Sequence, residues 1–120
     1  MAEAQSYRQL EVWQKAVELA TEAHRLAARL PAEPNSSLSN RLVNSALSVA
    51  SHIAEGYVRK RRASYLVHLV RAQGALAEFE TLVMVAVRLE LLTREDVAAG
   101  WDLSRETGHI LHRMIRSLES

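Results

Sequence analysis

Arg59, Lys60, Arg61 and Arg62 set four cations in succession directly after Ile53-Ala54-Glu55-Gly56. Guanidinium groups take phosphate oxygens two at a time, so a run of this kind is suited to grip an anionic polymer. Residues 37–77 hold six basic side chains, those four with Arg41 and Arg71, against the one acid Glu55, in a chain of net charge +1. The remainder is therefore net acidic, and the asymmetry implies a basic face on a near-neutral body. Arg41 joins the run as a fifth candidate for phosphate contact. The competing reading is a solvated corner between helices. Tyr57 and Tyr65 flank the run. Stacking on bases is one use for them; packing across a helix corner is the favoured one.

Other chemistry finds little support. Glu55 lies four residues before Arg59 and pairs with it if the helix continues. It has no partner base that would make it catalytic. Glu78 and Glu80 are two apart and do not share a helix face; one is expected inward and paired, with Arg41 and Arg71 as candidates. Di-iron bundles need two Glu-x-x-His motifs, and this chain has one, Glu106 to His109. His112, His24, His52 and His68 are scattered, so no metal site is expected. No glycine-rich phosphate loop and no Ser-His-Asp arrangement is visible. The expectation is a protein without catalytic residues, metal or cofactor.

Four helical blocks must position these side chains. The first spans roughly residues 9–30, where Val12, Ala16, Leu19, Ala23, Leu26 and Leu30 recur every three or four positions. Trp13, Val17 and Ala20 widen the stripe, and Pro31 and Pro34 end it. The second starts near Ser37 as N-cap. Leu38, Leu42, Ala46, Val49 and Ile53 form one stripe, and Val43, Leu47, Ala50 and Ala54 a second beside it. Gly56 near its end allows a left-handed turn or a close approach. The third spans roughly residues 63–91, about 43 Å of helix at ~1.5 Å per residue. Thr93 and Asp96 resemble a capping box that opens the fourth, roughly residues 94–118. Gly100 and Gly108 weaken that helix by about 1 kcal/mol each, which close packing against a neighbour would justify. Trp13 and Trp101 read as core or interface anchors.

Short linkers make sequential helices antiparallel neighbours, which predicts an all-α fold, an up-down-up-down four-helix bundle in a single domain over residues 1–120. Apolar residues make up 48% and aromatics only 5%, which favours helix over sheet. Apolar positions on more than one face of the second and third helices leave hydrophobic surface that self-association would cover. The chain has no cysteine, which excludes disulfides and thiolate metal sites. With no apolar leader and no apolar run long enough to span a bilayer, a cytoplasmic protein without membrane contact is expected.

Three segments carry a resemblance. Leu10-Glu11-Val12-Trp13-Gln14-Lys15-Ala16 is similar to an L-x-V-W-x-x-A opening. Ser48 to Gly56 (SVASHIAEG) is similar to a signature S-I-P-S-N-I-A-E-G, matched at Ser51, Ile53, Ala54, Glu55 and Gly56. Gly74 to Thr81 (GALAEFET) is similar to G-S-L-x-E-L-E-T. Together, in this order and spacing, they resemble the four helix bundle proteins first noticed as reading frames within intervening sequences of 23S ribosomal RNA genes. The accessory variability proteins of diversity-generating retroelements are related. The resemblance implies a ring-shaped homopentamer. For the retroelement members it also implies a basic surface for nucleic acid and a reverse transcriptase partner. Two departures stand out. The arginine pair about eleven residues before the Glu-Gly reads Val43 and Asn44 here, and the usual Pro-Ser-Asn reads Ala50-Ser51-His52. The leading expectation is a non-enzymatic oligomer that binds RNA or DNA phosphates, with five corners forming a basic belt. The alternative is a protein-interaction scaffold, such as a reverse-transcriptase accessory protein, with no direct nucleic-acid contact.

Overall fold

The computed structural model describes residues 6–120. A single 3-10 turn, Tyr7–Gln9, leads into α1 (Glu11–Arg29), α2 (Ser36–Arg59), α3 (Arg62–Arg88) and α4 (Arg94–Glu119). α1 packs on α2 and α4, and α3 packs on α2 and α4, so the four close a square bundle 46 Å long and 23 Å across. The direction of each helix can be read from cross-helix pairs. Lys15 meets Glu106 and Arg29 meets Asp96, so α4 runs against α1. Arg41 meets Glu78 and His52 meets His68, so α3 runs against α2. Ser104 meets Glu80 and Arg62 meets Leu118, so α4 also runs against α3, and neighbouring helices alternate in direction.

Apolar spacing sets the core. Val12, Ala16, Leu19, Ala23 and Leu26 of α1 are all buried, as are Leu42, Ala46, Val49 and Ile53 of α2. Phe79 is the largest fully buried side chain, and Leu69, Leu76, Leu82, Val83, Leu111 and Ile115 surround the axis from α3 and α4. Trp13 and Trp101 pack against this core at its edge. Among the described residues no buried side-chain polar atom lacks a hydrogen-bond partner, and none of the helices is long and apolar enough to cross a membrane.

The helix ends show where local rules held. Leu30, the residue before Pro31, is extended at φ −78°, ψ 138°, and α1 stops there. α2 begins at Ser36, with Asn35 in the cap position and no side-chain cap. Ser37 is the second residue inside the helix, so the expected Ser37 cap is not formed, and Asn35, at φ −94°, ψ 10°, lies outside the extended region from which a cap side chain reaches the helix N–H groups. Ser39 instead donates its hydroxyl to Ala27 O at 3.1 Å and ties the two helices across the turn. α3 ends at Arg88, earlier than the pattern suggests, because Glu90 turns left-handed at φ 60° and Leu91 N–H returns to Ala86 O at 3.0 Å. Thr93 and Asp96 form the capping box in full, with Thr93 Oγ1 accepting from Asp96 N–H and Asp96 Oδ2 accepting from Thr93 N–H. Close packing holds at Gly108, where a Cβ would stand 3.3 Å from Leu76 Cδ2. At Gly100 the nearest atoms would be 3.6 Å away, an ordinary contact.

Candidate nucleic-acid interface

The corner between α2 and α3 is built on two backbone choices. Lys60 takes a left-handed conformation, φ 57°, and ends α2; Arg61 follows extended at φ −121°, ψ 131°, and α3 starts at Arg62. The left-handed residue is therefore Lys60, and Gly56 is helical. Gly56 serves as the close approach: a Cβ there would lie 2.8 Å from His68 Cβ and 3.1 Å from Tyr65 Cδ1. α3 has no side-chain cap and no acid in its first turn. Its leading N–H groups and the positive end of its dipole thus meet the cation run without local compensation.

The four cations of the run do different work. Arg59 donates to Glu55 Oε2 at 3.0 Å, the expected pairing one helical turn apart. Arg62 points the other way, donating from Nε to Leu118 O at 2.6 Å and from Nη2 to Ser120 O at 2.7 Å. It satisfies carbonyls at the end of α4, where a cation also opposes the negative end of that helix's dipole. Lys60 and Arg61 are exposed and make no ion pair among the described residues. Arg41 stands apart. It precedes Arg59 by about five turns of the same helix, roughly 27 Å at 1.5 Å per residue, and holds Glu78 at 3.2 Å. Glu80 is the inward one of the acidic pair and accepts from the Ser104 hydroxyl rather than from an arginine.

The other signature positions have structural roles. Ile53 is fully buried, Ala54 lines a shallow groove facing Trp13, and Ser51 is exposed on the rim of that groove. Tyr57 and Tyr65 meet edge to face, with ring centroids 6.1 Å apart. Burial, then the neighbouring Tyr57, pushes the Tyr65 phenol above its ordinary pKa. The pair packs across the corner, the use the sequence favours.

One grouping was invisible in the sequence. His52 and His68 face each other with Nδ1 to Nδ1 at 3.1 Å, and Glu55 Oε2 lies 3.7 Å from His68 Nε2. Desolvation, then the neighbouring His68, holds the His52 imidazole below its ordinary pKa. The available signal was symmetry: the two histidines lie equally far before and after Lys60, and residues equidistant from an antiparallel turn face each other.

Three comparisons bear on this geometry. The family model described as 23S rRNA-intervening sequence protein matches residues 8–113. A crystal structure of a protein of unknown function from Bacteroides thetaiotaomicron, assigned to the S23 ribosomal protein family, superposes with a TM-score of 0.79. The identity is 24%, over 87% of this chain and 97% of that one, and the likeness carries the fold. No curated protein matches the chain significantly.

Proposed function

This chain belongs to the 23S rRNA-intervening sequence protein family, and on that premise we propose that it is a non-enzymatic, self-associating bundle that binds RNA or DNA phosphates through the α2–α3 corner. The observation that carries the proposal is the pairing of Lys60 and Arg61, both exposed and without ion pairs among the described residues, with the uncapped N-terminus of α3. Backbone N–H groups, a positive dipole end and two uncommitted cations converge there, which is the chemistry of a phosphate site. Arg59 joins at little cost, because exposed ion pairs such as Arg59–Glu55 contribute only about 0–1 kcal/mol. Arg62 contributes charge from its post on α4. Arg41 is a second, separate contact about 27 Å along the bundle. Contacts of this type read no bases, so binding is weakly sequence-specific and strongly salt-dependent.

Self-association multiplies the site. Val67, Val70 and Met84 of α3 are each close to half exposed, and with Ala63, Gly74 and Ala77 they make a continuous smooth stripe along one face. A second copy covers this surface; in the homopentamer that the family resemblance implies, five corners make a basic belt. Titration of structured RNA at low salt tests the reading. Lys60→Gln/Arg61→Gln is expected to weaken binding at least tenfold while leaving the fold and particle mass unchanged. Equal affinity of the folded double variant rejects the corner. Association with a protein partner that resists both nuclease and high salt, without RNA or DNA binding, supports the scaffold reading instead.

A further inference from the structure

We infer that His52, His68 and Glu55 form a binding site for one divalent first-row transition ion, Zn2+ in the first instance. One nitrogen of each ring and a carboxylate oxygen of Glu55 lie within 4.8 Å of one another. The ring nitrogens are the telling pair. At a zinc–nitrogen distance of about 2.1 Å, two nitrogens at a tetrahedral angle stand about 3.4 Å apart. The two Nδ1 atoms stand 3.1 Å apart in a hydrogen bond that an ion would replace, and Glu55 faces Nε2 of His68, so the rings turn to bring one nitrogen of each and the carboxylate onto the same ion.

The surroundings make this a built site. His68 is buried, 5% exposed, and its Cβ lies against Gly56 where α2 and α3 pack closely, which fixes where its side chain starts. His52 is partly open and Glu55 exposed, which leaves one side for entry and for water to complete the coordination. Two imidazoles and a carboxylate suit zinc and its neighbours and do not suit magnesium or calcium, which take oxygen ligands. Arg59 competes for the carboxylate, since it and His68 both approach Glu55 Oε2. Arg59 lowers the carboxylate's availability to an ion, and Glu55 supplies the negative charge that offsets Arg59 and Arg71 nearby. The site lies on α2 and α3 before and after the corner and uses neither Lys60 nor Arg61; its one link to the proposed phosphate contacts is Arg59, which pairs with Glu55.

Calorimetric titration of the full-length protein with ZnCl2 tests the inference, with ligand-field absorption of Co2+ as a second probe. The expected result is one ion per chain, with affinity reduced at least tenfold in His52→Asn and several-fold in Glu55→Gln. Arg59→Gln, which releases the Glu55 carboxylate, is expected to tighten binding. Circular dichroism confirms that His52→Asn, a change at a partly exposed position, keeps its fold. The inference is overturned if wild-type protein shows no saturable binding, or if His52→Asn binds within twofold of it. Loss of binding in His109→Ala/His112→Ala, on the exposed face of α4, overturns it too.

Discussion

Gly56 carries much of the geometry of the corner while its backbone stays helical. Its missing side chain lets α3 approach until His68 Cβ would stand only 2.8 Å from an added Cβ. A contact of that kind, with the root of a buried side chain, is relieved only by moving a helix. Gly56→Ala should therefore cost about 1–3 kcal/mol, read as a lower urea midpoint. Gly100→Ala is the control: its added Cβ would make only ordinary contacts at 3.6 Å, so helix propensity dominates and stabilises by about 1 kcal/mol. Equal shifts for the two would refute close packing as the reason for Gly56. Asp96 gives a pH-dependent counterpart. Bonds from Thr93 and the charge of Arg29 hold its carboxyl below the ordinary value of 3.8. The folded pKa is depressed, so the cap's contribution is complete above the unfolded value and disappears as pH falls through the folded one. Asp96→Asn should lower the denaturation midpoint at neutral pH, with the gap to wild type narrowing below about pH 4. A gap that is constant with pH contradicts this. Contacts such as Thr93–Asp96 and Glu55–Arg59 were legible in the sequence because they lie three or four residues apart on one helix. His52–His68 was not, because it depends on the register of two helices.

At the scale of elements, Arg62 shows how a residue can sit in a charged run and serve another purpose. It begins α3 and caps the carbonyl end of α4 through Leu118 O and Ser120 O. Arg62→Ala should destabilise the bundle by about 1 kcal/mol, the usual net worth of such bonds. Faster hydrogen exchange in the last turn of α4 is expected, whereas Lys60→Gln/Arg61→Gln should leave that turn unchanged. Unaltered exchange in Arg62→Ala would remove the capping role. The sequence made four helices legible because apolar residues recur every three or four positions and because Pro31 and the Thr93 box mark ends with a clear physical cause. It did not separate Arg62 from its neighbours, since composition cannot show which cation reaches a distant carbonyl. It left Gly56 with two uses, a left-handed turn or a close approach; the chain takes the second there and puts the left-handed residue at Lys60, φ 57°.

For the whole molecule, the bundle buries one core and leaves another apolar surface open. Val67, Val70 and Met84 on α3, with Leu47 and Val58 on α2, remain exposed. The double stripes of the second and third helical blocks announced this surplus, since a helix apolar on two faces needs two partners. In the proposed function these parts together make a multivalent phosphate binder. Retention of the protein on structured RNA and duplex DNA across a salt series, with the free particle's mass taken by light scattering, tests it most directly. The expected outcome is an oligomer whose log affinity falls linearly with log salt, by about 0.9 per duplex phosphate engaged. Lys60→Gln/Arg61→Gln should make that slope shallower. No retention at low salt, or retention that salt does not weaken, would contradict it.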